Sequence, residues 1–109
     1  MSTPAEHRQK AEALRARVGE APGESDAALR QAALARAAGG APLAAPYEAM
    51  VARIAAVPYR VTDAEVAAVR QASGSDKAAF EIVMAAAIGA GLMRFDAAMR
   101  AVAEAGDAA

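Results

Sequence analysis

The sequence predicts an all-α protein, and three observations lead to that prediction. Alanine, which loses no side-chain entropy in a helix, supplies about a third of the 109 residues. No stretch alternates apolar and polar residues with the period of two that marks a half-buried strand. Glycine and proline instead interrupt segments of helical periodicity, at 19–23, 39–46, 58–61 and 73–74. We therefore expect five to six helices and no sheet, in one domain that covers residues 1–109.

The first two helices are predicted from their capping residues. Thr3, followed three residues later by Glu6, has the pattern of a capping box at a helix start. This first helix has a thin apolar face, so we expect residues 1–24 to form a peripheral helix and linker. Residues 25–105 should then contain the core. Ser25 is the predicted N-cap of the second helix.

The third and fourth helices follow from apolar spacing and a second capping box. Apolar side chains recur at helical spacing until Pro58 ends the third helix: Tyr47, Met50, Val51, Ile54 and Val57. In the stretch VTDAEV, 61–66, Thr62 is the predicted N-cap, and Glu65 can return a bond to its N–H. The two flanking valines have the spacing of a hydrophobic staple, and Asp63 lies in the first turn. Helix capping therefore explains this stretch without catalysis.

The last segment, from Asp76 to about Ala105, is predicted to form both the core and an interface between subunits. Its apolar residues fall on two faces: Phe80, Val83, Met84, Ala87, Ile88 and Gly91 on one, and Ile82, Ala86, Gly89 and Met93 on the other. A helix that is apolar nearly all round is buried on most sides. Gly89 and Gly91 indicate close packing or a break into a second helix. Because so small a domain cannot easily cover this surface alone, we expect a homo-oligomer.

Composition and charge exclude several classes of function. The chain has no cysteine, so disulfides, thiolate catalysis and thiolate metal sites are excluded. The single histidine, His7, lies near the N-terminus and has no partners for a metal site, so we expect no metal and no cofactor. The net charge is -1 without a basic stripe, which argues against nucleic acid as a partner.

The location is predicted from the apolar runs. The longest, Ile82 to Met93, is bounded by Glu81 and Arg94 and is shorter than a bilayer requires. The N-terminal residues lack the apolar core of a signal peptide. We therefore expect a cytoplasmic protein that does not span a membrane.

One long stretch carries a family resemblance. The residues VTDAEVAAVRQASGSDKAAFEIVMAAAIGAGLMRFDAAM, with the pattern "Y-x-V-T-D … F-E-I-V … A-A-x-G-A-G", resemble the carboxymuconolactone decarboxylase-like family, which includes the alkylhydroperoxidase-D-like proteins. The similarity extends over roughly Asp26 to Val102 and is closest to a cysteine-less, poorly characterised bacterial branch. It implies an alkylhydroperoxidase-D-like helical fold and a homo-oligomer.

The residues of the family's redox site are replaced in this chain. The redox members carry Cys-x-x-Cys-x-x-x-His, and counting back from Ser75 places its three residues on Pro58, Val61 and Glu65. The family's proton-relay glutamate has its nearest candidate in Glu48, about two residues out of register. Thiol peroxidase activity is therefore not expected, because the thiolate is the nucleophile in that chemistry.

Three functions stay open from the sequence. The first is a non-redox member of the family, a homo-oligomeric binding or accessory protein that takes a small molecule or a partner. The second is a cysteine-independent enzyme that transfers protons on a small lactone or keto acid, with Glu65 or Glu81 as acid or base and Tyr59 and Arg60 holding the substrate. The third is a helical protein-interaction module. The structural alternatives are a capping role for Glu65, a buried or interfacial Glu81 carboxylate paired with a base such as Lys77, and burial of the Tyr59 ring.

Overall fold

The computed structural model describes residues 3–108, and within that range it is all-helical. Five α-helices follow one another: α1 (Pro4–Glu20), α2 (Ala27–Ala37), α3 (Tyr47–Ala56), α4 (Asp63–Ser73) and α5 (Asp76–Ala108). A single 3-10 turn, Pro58–Arg60, connects α3 with α4. The predicted all-α class is confirmed, and the helices end where glycine and proline interrupt the sequence.

The helix α5 is the central element, and the other four α-helices all pack against it. Its inner face contributes Ile82, Ala85 and Ala86, each fully buried. The rest of the core comes mainly from α2 and α3, with one residue from α4: Ala33, Leu34, Ala37, Met50, Val51, Ile54 and Val69. Because α5 is one helix of 33 residues, the predicted alternative of a break at its two central glycines is wrong.

Gly89 allows α2 to lie directly on α5. A Cβ atom at Gly89 would be 2.9 Å from the carbonyl carbon of Leu34 and 3.0 Å from its Cα. These distances are shorter than the 3.5–4.0 Å at which carbon atoms normally meet. A Cβ atom at Gly91, two positions further along the helix, would meet no atom within 4 Å. Close packing is therefore confirmed for Gly89 and absent at Gly91 within the described part of the chain.

Two capping boxes begin helices as predicted. The Thr3 hydroxyl accepts from the Glu6 N–H at 3.1 Å, and the Thr62 hydroxyl accepts from the Glu65 N–H at 3.1 Å. The predicted cap of α2 is wrong, because Asp26 rather than Ser25 accepts the N–H of Ala28, at 3.1 Å. The Ser25 side chain instead bonds to α5.

Part of one face of α5 is left exposed by the rest of the chain, so the predicted burial of this face in a subunit interface stays a prediction. Phe80 is 61% exposed and Met84 is 40% exposed, and Ala87 and Gly91 continue the same line on the helix surface. These four residues, spaced by four, three and four positions, are called the exposed α5 face below. The physical reason is that the four shorter helices gather on the opposite side of α5 and leave this side uncovered.

The length of α5 also bears on the predicted absence of a membrane span. The helix continues well beyond Ile82–Met93, and residues Asp76–Asp107 are long and apolar enough to cross a bilayer by length and composition alone. However, 39% of its most apolar window is buried by the rest of the chain, and the core helix of a soluble protein passes the same test. The expectation of a protein that does not span the membrane stays a prediction.

Candidate functional site

Glu81 is the first predicted site residue, and its carboxylate holds the linker between α1 and α2 against α5. Its Oε1 atom accepts from the Ser25 N–H at 2.8 Å and from the Ser25 hydroxyl at 2.6 Å. Its Oε2 atom accepts from the Glu24 N–H at 3.1 Å. Gly23 makes this approach possible, because a Cβ atom there would lie 2.6 Å from the carboxylate.

Arg30, on α2, completes this polar cluster from the other side. The residue is only 4% exposed. Its guanidinium donates to the carbonyl of Ser25 at 2.6 Å, to that of Val18 at 3.1 Å, and to that of Ala21. Its NH1 atom also lies 3.8 Å from Oε1 of Glu81. The arginine therefore satisfies carbonyls at the end of α1 and balances the carboxylate of α5.

The cluster keeps Glu81 ionised. Hydrogen bonds from the Ser25 hydroxyl and backbone, with smaller contributions from the Glu24 N–H and the Arg30 charge, lower the pKa of Glu81 from 4.5 to about 2. A general acid or base that works near neutral pH needs a pKa much closer to 7. The predicted pairing of Glu81 with a base is present, but the base is Arg30 of α2 rather than Lys77, because the packing of α2 and its linker brings Arg30 and Ser25 to the carboxylate.

Glu65, the second predicted site residue, has both of its oxygens engaged at the start of α4. Oε1 accepts from the Thr62 N–H at 2.9 Å, which completes the capping box. Oε2 accepts from Nε of Arg53, in the last turn of α3, at 2.7 Å. The Thr62 N–H and the Arg53 guanidinium lower the pKa of Glu65, so its carboxylate is also ionised at neutral pH.

The two predicted ligand-binding residues lie on the 3-10 turn and point to solvent. Tyr59 is 82% exposed, and Arg60 is exposed as well. The prediction that the Tyr59 ring is buried is wrong, because residues 58–60 are all exposed and only the following Val61 packs against the core. An exposed tyrosine beside an exposed arginine offers contacts to a partner, but the turn forms no enclosed site of its own.

The structure does not bring the four predicted site residues together. Glu65 and Glu81 share no hydrogen-bond partner within the described residues. Glu48, the nearest candidate for the proton-relay position, accepts a two-pronged bond from Arg36 at 2.7–3.0 Å and the N–H of Leu43 at 2.9 Å. These bonds lower its pKa as well, with the Arg36 hydrogen bond as the largest cause.

Sequence reasoning missed Arg30, which is the most buried charged residue of the described chain. A signal for it exists. Arg30 precedes the buried residues Leu34 and Ala37 by four and seven positions, so it lies on the core stripe of α2. Glu81 lies in the apolar part of α5. Two opposite charges at core positions predict a pair, because each would otherwise be buried without a partner.

Neither a search for metal-binding clusters nor comparison with known proteins assigns a function to these residues. Between residues 3 and 108, no three histidine, aspartate or glutamate side chains come close enough together to hold a metal ion. Comparisons of the chain with family models, with curated proteins and with solved structures find no match.

Proposed function

We propose that this protein is a non-catalytic, self-associating helical protein with a binding or accessory role, and that α5 supplies its subunit interface. The resemblance of residues 61–99 to the carboxymuconolactone decarboxylase-like family is part of the proposal, and it implies the same non-redox role. The observation that carries the proposal is the exposed α5 face.

The occupied carboxylates support a role without chemistry. Glu81 accepts three hydrogen bonds and Glu65 accepts two, so both oxygens of each predicted catalytic glutamate are engaged, and each glutamate has a lowered pKa. Removing Glu65 or Glu81 from its partners to receive a substrate would break a helix cap or release the α1–α2 linker. The cysteine-independent enzyme has no comparable support, because a proton-transferring carboxylate needs burial that raises its pKa.

Gly91 supports self-association more specifically. A glycine inside a helix costs about 1 kcal/mol relative to alanine. Gly89 compensates for that cost by allowing contact with α2, whereas nothing in the described chain lies near Gly91. Gly91 is on the same face as the exposed Phe80 and Met84. A glycine and an alanine on an apolar helix face allow another helix to approach closely.

The exposed α5 face is complementary to itself in an antiparallel pair. A two-fold axis between Met84 and Ala87 places Phe80 of one copy opposite Gly91 of the other, and Met84 opposite Ala87. Each large side chain therefore meets a small one, as ridges-into-grooves packing requires. In such an isologous interface the same residues serve both subunits. The face between Lys77 and Arg94 carries no ionisable side chain except Glu81, which is already bonded.

The proposal is tested by the mass of the protein in solution, measured by light scattering after size exclusion. We expect the wild type to be a dimer or a larger closed oligomer and the Met84→Glu variant to be a monomer with an unchanged helical circular dichroism spectrum. Val66→Glu is the matched control, because Val66 is 39% exposed, close to the 40% of Met84, but lies on α4.

The outcomes separate the candidate functions. A wild type that is monomeric at all concentrations contradicts the proposal and favours an interaction module that docks a different protein. If Val66→Glu becomes monomeric and Met84→Glu does not, the subunit interface lies on α4 rather than on α5. Turnover of a small lactone or keto acid that disappears in Glu65→Gln with an unchanged melting temperature favours the enzyme.

A further inference from the structure

A groove opens beside α5 where α2 ends, on the side away from the exposed α5 face. The inner stripe of α5 continues past the buried core with the same spacing of four and three residues: Ile82, Ala86, Gly89, Met93, Asp96, Arg100 and Ala103. The helix α2 covers this stripe only as far as its end at Ala37. Beyond that point the stripe forms the floor of a groove of about 450 Å³ between α1 and α5.

The groove combines an apolar floor with two arginines. Met93, Met99 and Ala103 line it from α5, and Ala38 closes the end next to α2. Arg8 of α1 and Arg100 of α5 line it as well, and both are exposed. Neither arginine forms an ion pair within residues 3–108.

The one acidic group among the groove's lining residues has an ion-pair partner of its own. Oδ2 of Asp96 accepts from the guanidinium of Arg15 at 3.2 Å, and Arg15 also pairs with Glu12 on α1. Arg8 and Arg100 have no such partner within residues 3–108, so their guanidinium groups are the ones available to an anion in the groove. A guanidinium binds a carboxylate with charge-assisted, two-pronged hydrogen bonds. The two methionine side chains are flexible and polarisable, and they adapt to an alkyl chain.

We infer that this groove binds a free monocarboxylic acid with a medium-length alkyl chain, through its carboxylate on Arg8 and Arg100 and its chain on Met93 and Met99. The inference rests on the proposed binding role and names the chemical class of the ligand. The groove lies within the usual range of about 300–1,000 Å³ for small-molecule sites. The site uses none of the residues of the proposed subunit interface.

The probe is octanoate, titrated by calorimetry and by the methyl resonances of ¹³C-methyl methionine. We expect saturable binding that shifts Met93 and Met99 more than Met84. The double variant Arg8→Ala/Arg100→Ala should weaken binding about tenfold or more, because the charge-assisted bonds are lost. Hexanoate should bind about tenfold more weakly than octanoate, because two buried methylene groups are missing.

Arg60→Ala is the matched control. Arg60 is another exposed arginine, and it is the residue predicted from the sequence to hold a substrate carboxylate. We expect it to bind octanoate as the wild type does. Loss of binding in Arg60→Ala, or no loss in the double variant, would overturn the assignment of the site. If 1-octanol binds with the same affinity as octanoate, the arginines do not contribute to binding. If acetate binds with the same affinity as octanoate, the apolar floor does not contribute.

The mass of the protein in the same samples keeps this inference separate from the proposed self-association. A monomer that binds octanoate with the expected variant pattern contradicts only the subunit interface. An oligomer that shows no saturable octanoate binding contradicts only the groove. Circular dichroism of the double variant confirms that a loss of binding is not a loss of structure.

Discussion

Adding one methyl group at Gly89 should separate the two most closely packed helices of the molecule. The new Cβ of Gly89→Ala meets the backbone of Leu34, at 2.9 Å from its carbonyl carbon and 3.0 Å from its Cα, with the carbonyl oxygen closer still. Backbone atoms inside a helix cannot rotate away as the end of a side chain can. We therefore expect α2 to move away from α5.

The magnitude follows from two opposing effects. Replacing glycine by alanine in a helix gains about 1 kcal/mol of intrinsic propensity. Restoring carbon contacts of about 3.5 Å requires a shift of at least half an ångström, roughly the kind of overpacking that costs 1–3 kcal/mol or more. The carbonyl contact places the cost at or above the upper end of that range. We expect a net loss of about 2 kcal/mol or more of unfolding free energy, or a melting temperature lower by roughly 8–16 °C or more.

The assay is urea unfolding followed by circular dichroism, at protein concentrations low enough for a single chain. Gly91→Ala is the control on the same helix, two residues away, where a Cβ meets nothing within 4 Å. It should stabilise the single chain by up to about 1 kcal/mol through propensity alone. If Gly89→Ala is as stable as Gly91→Ala, the close approach of α2 to α5 is refuted.

Three further predictions concern the polar contacts. Thr62→Ala should cost about 1 kcal/mol in unfolding experiments by removing the N-cap acceptor, and Glu65→Gln should cost less, because an amide oxygen still accepts the capping bond. The pKa of Glu81 is lowered from 4.5 to about 2, so the stability that its carboxylate contributes above pH 4.5 should be lost as the pH falls from 4.5 toward 2. In Glu81→Gln, the melting temperature should change less over this pH range. Arg30→Met should cost about 3 kcal/mol or more in urea unfolding, because it removes one partner of a buried pair and leaves carbonyls without donors. A melting temperature for Arg30→Met equal to the wild type would contradict the structural role of the cluster at Ser25.

Local sequence patterns predicted the helices well, because the physics that starts and ends a helix lies within a few residues. Both capping boxes depend on a threonine and a glutamate three positions apart, and both are present in the structure. Gly74 closes α4 with a φ of 96°, a conformation that L side chains rarely adopt. These features are readable without knowledge of what packs against them.

Tertiary partners could not be predicted in the same way. Ser25 is separated from Glu81 by 56 positions, so nothing local distinguishes it from an ordinary helix cap. The sequence places Gly89 and Gly91 on different faces of one helix, but it does not show that α2 lies over the first of them. The Tyr59 ring is exposed because no element packs over the turn that carries it. In each case the missing information is the position of a distant element.

The glutamates whose pKa values are lowered connect one helix to another element of the fold. Arg36 in the last turn of α2 binds Glu48 in the first turn of α3, and Arg53 in the last turn of α3 binds Glu65 in the first turn of α4. A positive charge at a helix C-terminus and a negative charge at a helix N-terminus are each favoured by the helix dipole. Each ion pair therefore stabilises both helices through their dipoles, in addition to the attraction between its two charges.

The same arrangement recurs at the junction of α4 with α5, where Arg70 in the last turn of α4 pairs with Asp76 in the first turn of α5. Glu81 differs in its partners, because it holds the α1–α2 linker against α5 through hydrogen bonds from Ser25 and Glu24. The carboxylates whose pKa values are lowered thus lie where one helix meets another element, and protonating any of them weakens a junction. Acid should therefore loosen the bundle through these contacts. A carboxylate on which the position of two elements depends is poorly placed to exchange a proton with a substrate, which is why the groove and the exposed α5 face, rather than the glutamates, carry the proposed function.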